Sequence, residues 1–231
     1  MKRFILTVGL VVIIAGVTAE SGFTDEPRAH RLSATPGERP LAVLKQFPVD
    51  PESYRPEAAD LLHKGILEKY GQEEWVAIVL THELHQHVGI YTVLGAKMGV
   101  RAREVLNAPT RAVHVTVETG IEPPISCTID GIQASLGSTL AQKLIDVPVV
   151  SAPGVAAVFE YKGLKARLSL KPKYRKRVDS IIKTASDKHG SLTPAYFHEI
   201  EDCCFDVWAE FDRREIFVEE HLPAEPSAEQ K

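Results

Sequence analysis

Two apolar segments separated only by Lys162-Gly163 constrain the fold more than any other part of the sequence. Residues 155–161 and 164–170 flank this dipeptide, and two strands joined by a two-residue turn are typical of an antiparallel β-hairpin. Upstream, the valines of residues 112–118 alternate with other residues, which predicts a further strand. We therefore expect a β-sheet with antiparallel pairing.

Helices are predicted beside this sheet. Residues 75–80 are apolar throughout and fit either a buried strand or a buried helix. Helices and strands do not alternate as regular βαβ units, so the pattern predicts an α+β fold with one small sheet packed against helices. Apolar residues at helical spacing predict helices over residues 56–70, 89–107, 127–136, 173–186 and 194–221.

The composition is that of a globular protein, with 44% hydrophobic and 25% charged residues in a chain of 231. This length suggests one core domain with a C-terminal helical extension. We predict a signal peptide, an extended N-terminal segment, a core domain, a C-terminal helix and a polar tail over residues 1–19, 20–55, 56–190, 191–222 and 223–231, respectively.

The N-terminus has the pattern of a cleavable signal peptide. Lys2 and Arg3 precede an apolar run over residues 4–17, and small residues stand at 17–19. The run is shorter than the roughly 20 residues that span a bilayer, which favours cleavage over the alternative of a membrane anchor. We expect a periplasmic or secreted protein that has no membrane contact after cleavage.

The charge of the mature chain argues against nucleic acid as a partner. Removal of residues 1–19 takes away Lys2 and Arg3 and changes the formal net charge from −4 to −6. Polyanions such as nucleic acids and anionic membranes bind basic surfaces. The sequence leaves the oligomeric state open, with a homodimer among the alternatives.

Three cysteines do not make a disulfide framework. Cys203 and Cys204 are adjacent, and adjacent residues fit disulfide geometry poorly. One of them could instead pair with Cys127. Cys204 lies near aromatic residues and is expected to pack in the core.

A histidine cluster over residues 82–87 suggests a metal site. It does not match the zinc-protease pattern H-E-x-x-H, because Gln86 stands where that pattern has its second histidine. In an extended segment, however, His85 and His87 would point to the same side and could share one ion. A metal needs further ligands, and the alternative is a polar, hydrogen-bonded loop.

Cys127 is a candidate for a further ligand. It stands at the start of a predicted helix, where the positive end of the helix dipole is expected to lower the pKa of a thiol. Asp130 follows one helical turn later on the same face. It could ligate a metal, orient a histidine or act as a general base; the alternatives are a buried hydrophobic thiol and a helix-capping carboxylate.

These motifs resemble the FmdE-like family, which takes its name from formylmethanofuran dehydrogenase. His85-Gln86-His87 resembles the family's H-G-H, and Gly95-Ala96-Lys97 resembles its Gly-x-[Arg/Lys] segment. Residues 127–139 resemble C-x-x-D-[AG]-I-Q-x-x-x-G-[CS]-T nearly position by position. The resemblance covers roughly residues 60–185.

The resemblance implies an α+β core and a metal ion bound by His85, His87 and Cys127. It also implies that Asp130, Gln133 and Thr139 line the same cavity. The chain departs from the family pattern at Gly89, where members carry a cysteine, and it lacks the C-terminal cysteine zinc finger of some members.

Two imidazoles and one thiolate suit a transition metal, with zinc the first expectation. Such a set leaves a coordination position open for a small molecule. We therefore expect a metal-binding protein that handles a small ligand. The alternatives are a metal-dependent enzyme with Asp130 or Glu83 as base, and an accessory protein whose metal is structural.

Overall fold

The computed structural model describes residues 41–223, which hold eight α-helices and one five-stranded sheet. The predicted signal peptide and the polar tail beyond residue 223 lie outside the described residues. Within them, no helix is both long and apolar enough to cross a bilayer. The helices are α1 (Pro56–His63), α2 (Ile66–Tyr70), α3 (Gln72–His85), α4 (Ile90–Leu106), α5 (Thr128–Leu136), α6 (Pro172–His189), α7 (Pro194–Glu210) and α8 (Arg213–Ile216).

The five strands form a mixed sheet in the order β2-β1-β3-β4-β5, so the α+β fold is confirmed. In this sheet β1 and β2 pair in parallel, and the other neighbours are antiparallel. The strands are β1 (His114–Val117), β2 (Ile145–Asp146), β3 (Ala156–Tyr161), β4 (Leu164–Leu170) and β5 (Phe217–Leu222).

The predicted hairpin is confirmed as β3 and β4, with Tyr161 opposite Leu164. Lys162 and Gly163 both have positive φ, at 49° and 78°. Two successive positive φ values are typical of the turn that matches the twist of a two-residue hairpin. The strand predicted from the alternating valines is β1, whose Val115 and Val117 are fully buried.

Helix α4 lies at the centre of the molecule and packs against α3, α5, α7, β3 and β4. Its crossing with α5 is very close. A Cβ added at Gly131 would lie 2.2 Å from the Thr92 carbonyl oxygen, and one added at Gly95 would lie 2.1 Å from that of Thr128. These glycines let the two backbones touch, and the contact fixes where α5 begins.

A buried charge network joins α4 to α3 and α8. Lys97 Nζ lies 2.6 Å from Glu74 Oε1, and both side chains are fully buried. Arg213 donates to the other Glu74 oxygen at 2.9 Å and to Glu104 Oε1 at 3.0 Å. The Lys97 ammonium also lies 4.2 Å from the centre of the Tyr70 ring. Each buried charge thus has a counter-charge, as burial requires.

The prediction of one helix over residues 194–221 is wrong. Helix α7 ends at Glu210, Asp212 caps the short α8, and β5 then pairs antiparallel with β4. The hydrogen bonds of a sheet edge and the burial of Phe217 favour the strand over a continued helix. Residues 194–222 therefore complete the sheet and cover α4.

The structure divides one predicted helix into two and shows that the ambiguous apolar segment is helical. The helix predicted over residues 56–70 is interrupted by Gly65, whose φ of 77° is incompatible with a continuous helix, and it forms α1 and α2. The apolar segment 75–80 is helical and belongs to α3. Phe47 is buried, so the N-terminal segment contacts the core within its described part.

Candidate functional site

The two histidines of the H-x-H motif do not lie in an extended segment. His85 is the last residue of α3, and Gln86 caps the helix in the left-handed conformation with φ 62°. The condition under which the sequence pattern would bring this pair together, an extended segment, is not met, because hydrogen bonding of Gln86 N to the His82 carbonyl completes the helix end. The imidazoles are nevertheless neighbours, with ring centroids 4.3 Å apart and planes tilted by 42°.

His82, the third histidine of the cluster, is hydrogen-bonded to Thr92 in the first turn of α4. The Thr92 hydroxyl donates to the Gly89 carbonyl at 2.5 Å, so it accepts a hydrogen bond from His82 Nε2 at 3.0 Å. Burial lowers the pKa of His82 to about 4, and the neighbouring His85 and His87 oppose its protonation further. His82 is therefore neutral at pH 7 and holds the start of α4.

Protonation of His82 is expected to destabilise the protein as the pH falls from 6.5 to about 4. In this window the unfolded chain accepts a proton that the folded state resists, so stability present above pH 6.5 is lost. The pKa difference corresponds to roughly 3 kcal/mol. Urea unfolding at pH 7 and pH 4.5 should show a smaller pH-dependent loss in His82→Leu than in the parent.

The matched control is His63→Leu, the same substitution at an exposed histidine at the end of α1. It should keep the parent's pH dependence, because this side chain faces water in the folded chain as it does in the unfolded one. An unchanged pH dependence in His82→Leu would contradict the assignment.

Asp130 orients His85. His85 Nδ1 lies 2.7 Å from Asp130 Oδ2, across the contact between the end of α3 and the first turn of α5. The other ring nitrogen, Nε2, is buried and has no hydrogen-bond partner among the described residues. A carboxylate on one nitrogen and a free second nitrogen are typical of a histidine prepared to bind a metal or to transfer a proton.

Cys127 immediately precedes α5, at its N-cap position. Its thiol pKa is raised, first by burial and then by the negative charge of Asp130. The lowered pKa expected from the helix dipole is therefore wrong for this arrangement. The His87 residue is exposed, but the pocket walls shield one side of its ring from water; this partial burial lowers its pKa, with a further contribution from His85. At neutral pH the side chains thus present a neutral imidazole and a thiol.

His85, His87 and Cys127 line one small pocket with an enclosed volume of about 50 Å³. They form its polar end. Gly89 also lines this end, and a Cβ added there would lie 3.5 Å from His87 Nε2. The rest of the lining is apolar or aromatic and comes from α4, the loop before α5, α6, the α6–α7 loop and α7: Ile90, Tyr91, Pro124, Ile182, Leu192, Tyr196, Phe197 and Ile200.

An aromatic cluster borders the histidines. The His87 ring packs edge-to-face against Phe197 with centroids 5.7 Å apart, and Phe197 contacts Tyr196 in the same way at 5.4 Å. Burial raises the pKa of Tyr91, which lines the same pocket, to about 12. Tyr91 therefore remains a neutral phenol, and the pocket wall carries no charge of its own.

The side chains of His85, His87 and Cys127 do not form a closed metal site in this structure. Within residues 41–223, no three His, Cys, Asp or Glu side chains converge closely enough to hold an ion. Gln133 and Thr139 do not line the pocket, and the Thr139 hydroxyl instead caps a short helical turn by accepting from Gln142 N. Glu83 is exposed and also lies outside the lining.

The remaining cysteines are free thiols. Cys204 is fully buried in the core, as predicted from its aromatic neighbours, and burial raises its pKa well above the ordinary value. Cys203 is partly exposed. Neither lines the pocket with Cys127.

Sequence reasoning missed the apolar walls of the pocket. Ile182, Tyr196 and Ile200 lie in helices that were predicted, but apolar residues at helical spacing predict only burial. The i, i+4 spacing of Tyr196 and Ile200 was the available signal that both occupy one helix face. What that face covers depends on how α7 packs against α4.

A family model described as "FmdE, Molybdenum formylmethanofuran dehydrogenase operon" matches residues 84–213, more than half of the chain. The chain belongs to the FmdE family. No curated protein matches it. The FmdE match includes every residue that lines the pocket, together with Asp130, and excludes β5 and most of α3.

The FmdE region also contains Lys97, which the sequence motif placed among the family's marked residues. The structure places this lysine in the buried pair with Glu74 and not in the pocket. Its position within the motif is thus accounted for by packing. The histidine pair and Cys127 line the pocket, whereas Asp130 lies outside the lining and contacts it through His85.

Proposed function

We propose that this FmdE-family chain is an exported metal-binding protein. One transition-metal ion, zinc in the first instance, is held by His85, His87 and Cys127 at the polar end of the pocket. A coordination position remains open towards the apolar end and takes a small ligand. The family match supports a metal-associated or accessory role, and the finer assignment of the site is ours.

The proposal depends above all on the hydrogen bonding of the two ring nitrogens of His85. Its Nδ1 is held by Asp130 at 2.7 Å, and its buried Nε2 lacks a partner among the described residues. A buried polar atom without a hydrogen bond is costly, and such atoms in native structures call for a ligand, ion or water. A metal ion at Nε2 would remove this cost, and Asp130 would fix the ring's tautomer and orientation.

The other two proposed donors would have to move towards His85 Nε2, because no three such groups converge among the described residues. His87 is exposed and Cys127 is partly buried, and both already line the pocket with His85. The neutral His87 imidazole is the form that ligates metals. The Cys127 thiol would lose its proton on binding, as coordinating thiols do. A bound zinc ion would supply Lewis-acid chemistry at its open position.

Elemental analysis of the purified chain from residue 20 onwards is expected to find about one equivalent of metal. A variant with His85→Ala, His87→Ala and Cys127→Ala should retain almost none. Asp130→Asn keeps every proposed ligand but weakens the orientation of His85. Its metal affinity should fall by about 10- to 100-fold in a chelator competition.

A matched control combines His114→Ala with Cys203→Ala. It removes an imidazole and a thiol that are partly exposed and lie outside the pocket, so it should bind metal like the parent. A parent chain that is metal-free and no more stable than the triple variant would refute the site. His85, His87 and Cys127 would then be packing residues.

The export part of the proposal has a separate test. Lys2, Arg3, the apolar run and the small residues at 17–19 support cleavage before Glu20. Intact-mass analysis of the protein from the periplasmic or extracellular fraction should find a chain that begins at Glu20. Full-length protein confined to the cytoplasm would contradict export without affecting the metal site.

A further inference from the structure

We propose that the ligand of this pocket is a small molecule with an uncharged aromatic or aliphatic body and one nitrogen or sulfur donor atom. The body lies between Ile182, Tyr196 and Phe197, and the donor atom points to the end formed by His85 and Cys127. This inference rests on the proposed metal site and specifies which ligands the site accepts.

The chemistry of the lining carries the inference. None of the described residues that line the pocket is Lys, Arg, Asp or Glu. A phosphate or carboxylate on the ligand body, away from the proposed metal ion, would lose hydration without gaining a counter-charge from these walls, which is unfavourable. A sugar would leave most of its hydroxyls without partners, because the walls between Ile90 and Ile200 are largely aliphatic and aromatic.

The size of the pocket limits the ligand further. The enclosed part of the pocket measures only about 50 Å³, so it takes the donor-bearing end of the ligand and little more. The body of the ligand therefore extends to the pocket edge at Leu192 and Phe197, whose side chains are exposed. The flat faces of Tyr196 and Phe197 suit an aromatic ring, because offset and edge-to-face contacts between rings are favourable.

The α6–α7 loop provides the edge of the pocket. Leu192 is 65% exposed and has a φ of 59°, a strained conformation for a bulky residue. Phe197 is 40% exposed and contacts His87. Strained residues cluster at ligand-binding sites, and a ligand body would cover apolar surface that now faces water.

Calorimetric titration with two probes tests the inference. Imidazole offers the donor atom alone, and 4-phenylimidazole adds an uncharged aromatic body. The zinc-loaded chain is expected to bind 4-phenylimidazole at least about tenfold more tightly than imidazole. Phe197→Ala removes part of the wall and should reduce this preference several-fold, while elemental analysis should find its zinc content unchanged.

Leu164→Ala is the matched control, because Leu164 is a similarly exposed apolar side chain at the β3–β4 turn, outside the pocket. It should keep the parent's preference. If the chain binds zinc but does not distinguish the two probes, or binds 4-(imidazol-4-yl)benzoate, whose charge lies at the far end of the body, more tightly than 4-phenylimidazole, the inference fails and the metal site stands. If the parent takes up no metal, the proposed function fails and this inference fails with it.

Discussion

Glu74→Leu is expected to lower the free energy of unfolding by about 3–5 kcal/mol. The substitution removes the carboxylate that lies 2.6 Å from Lys97 Nζ and leaves that ammonium fully buried. Arg213 keeps its hydrogen bonds to Glu104, so Lys97 is the buried group that is left without a counter-charge. Urea unfolding monitored by circular dichroism at pH 7 would measure the change.

The double variant Glu74→Leu/Lys97→Met identifies the cause. It replaces both members of the pair with apolar residues, and the buried charge that makes the single variant unstable is gone. We therefore expect the double variant to be clearly more stable than Glu74→Leu alone. Equal destabilisation would show that the cost comes from packing and not from an unpaired charge.

The pH dependence provides a second readout. Burial lowers the pKa of Lys97, and the Glu74 carboxylate opposes this effect. Without Glu74 the pKa of Lys97 should fall further. The unfolded chain then binds a proton that the folded chain does not, so the stability of Glu74→Leu should recover as the pH rises towards 10.5.

An exposed pair of the same length serves as the control. Lys183 Nζ lies 2.6 Å from Asp187 Oδ2, one turn apart on α6, but the two side chains are 74% and 65% exposed. Asp187→Ala should leave the free energy of unfolding almost unchanged, because water solvates Lys183 and exposed pairs contribute little. A large loss in this variant would contradict the argument from burial.

Much of the fold was predictable because the signals are local. The dipeptide Lys162-Gly163 fits a two-residue turn, and the valines of β1 alternate with the period of a strand. Strand β5 carried no such signal. Its pairing joins Phe217 to Leu170, far apart in sequence, and its exposed residues Glu220 and His221 do not show the alternation of a half-buried strand.

The site was predictable only in part. The motif block identified Cys127 and Asp130, and the H-x-H pattern identified His85 and His87. The orientation of these groups could not be predicted from the sequence, because the left-handed turn at Gln86 and the burial of Cys127 depend on how the helices pack. Burial outweighed the helix dipole at Cys127, which reversed the expected direction of its pKa.

Gly131→Ala is expected to lower the free energy of unfolding by about 1–3 kcal/mol or more, although alanine is the better helix former. Its Cβ would lie 2.2 Å from the Thr92 carbonyl oxygen and 2.4 Å from Ala96 N. Both are backbone atoms of α4, so no side-chain rotation relieves the contact. The two helices must separate, and the start of α5 must move.

Alanine substitutions at Gly131, Gly95 and Gly99 should lower the free energy of unfolding to different extents. Gly95→Ala should resemble Gly131→Ala, because its Cβ would meet the Thr128 backbone at 2.1 Å. Gly99→Ala should cost less, because its closest contact is the Ser135 hydroxyl, a side-chain atom that can move. Gly154→Ala is the control, since an added Cβ there has no neighbour within 4 Å and should leave stability unchanged or slightly raised.

The same variants connect the packing of α4 and α5 to the pocket. Asp130 lies in the first turn of α5, so displacement of this helix should lengthen or break its hydrogen bond to His85 Nδ1. The nitrogen resonances of the His85 ring should then shift in Gly131→Ala and stay unchanged in Gly154→Ala. A Gly131→Ala protein with parental stability and parental His85 resonances would show that α4 and α5 do not cross this closely, and the glycine contact would lose its role in placing Asp130 and Cys127.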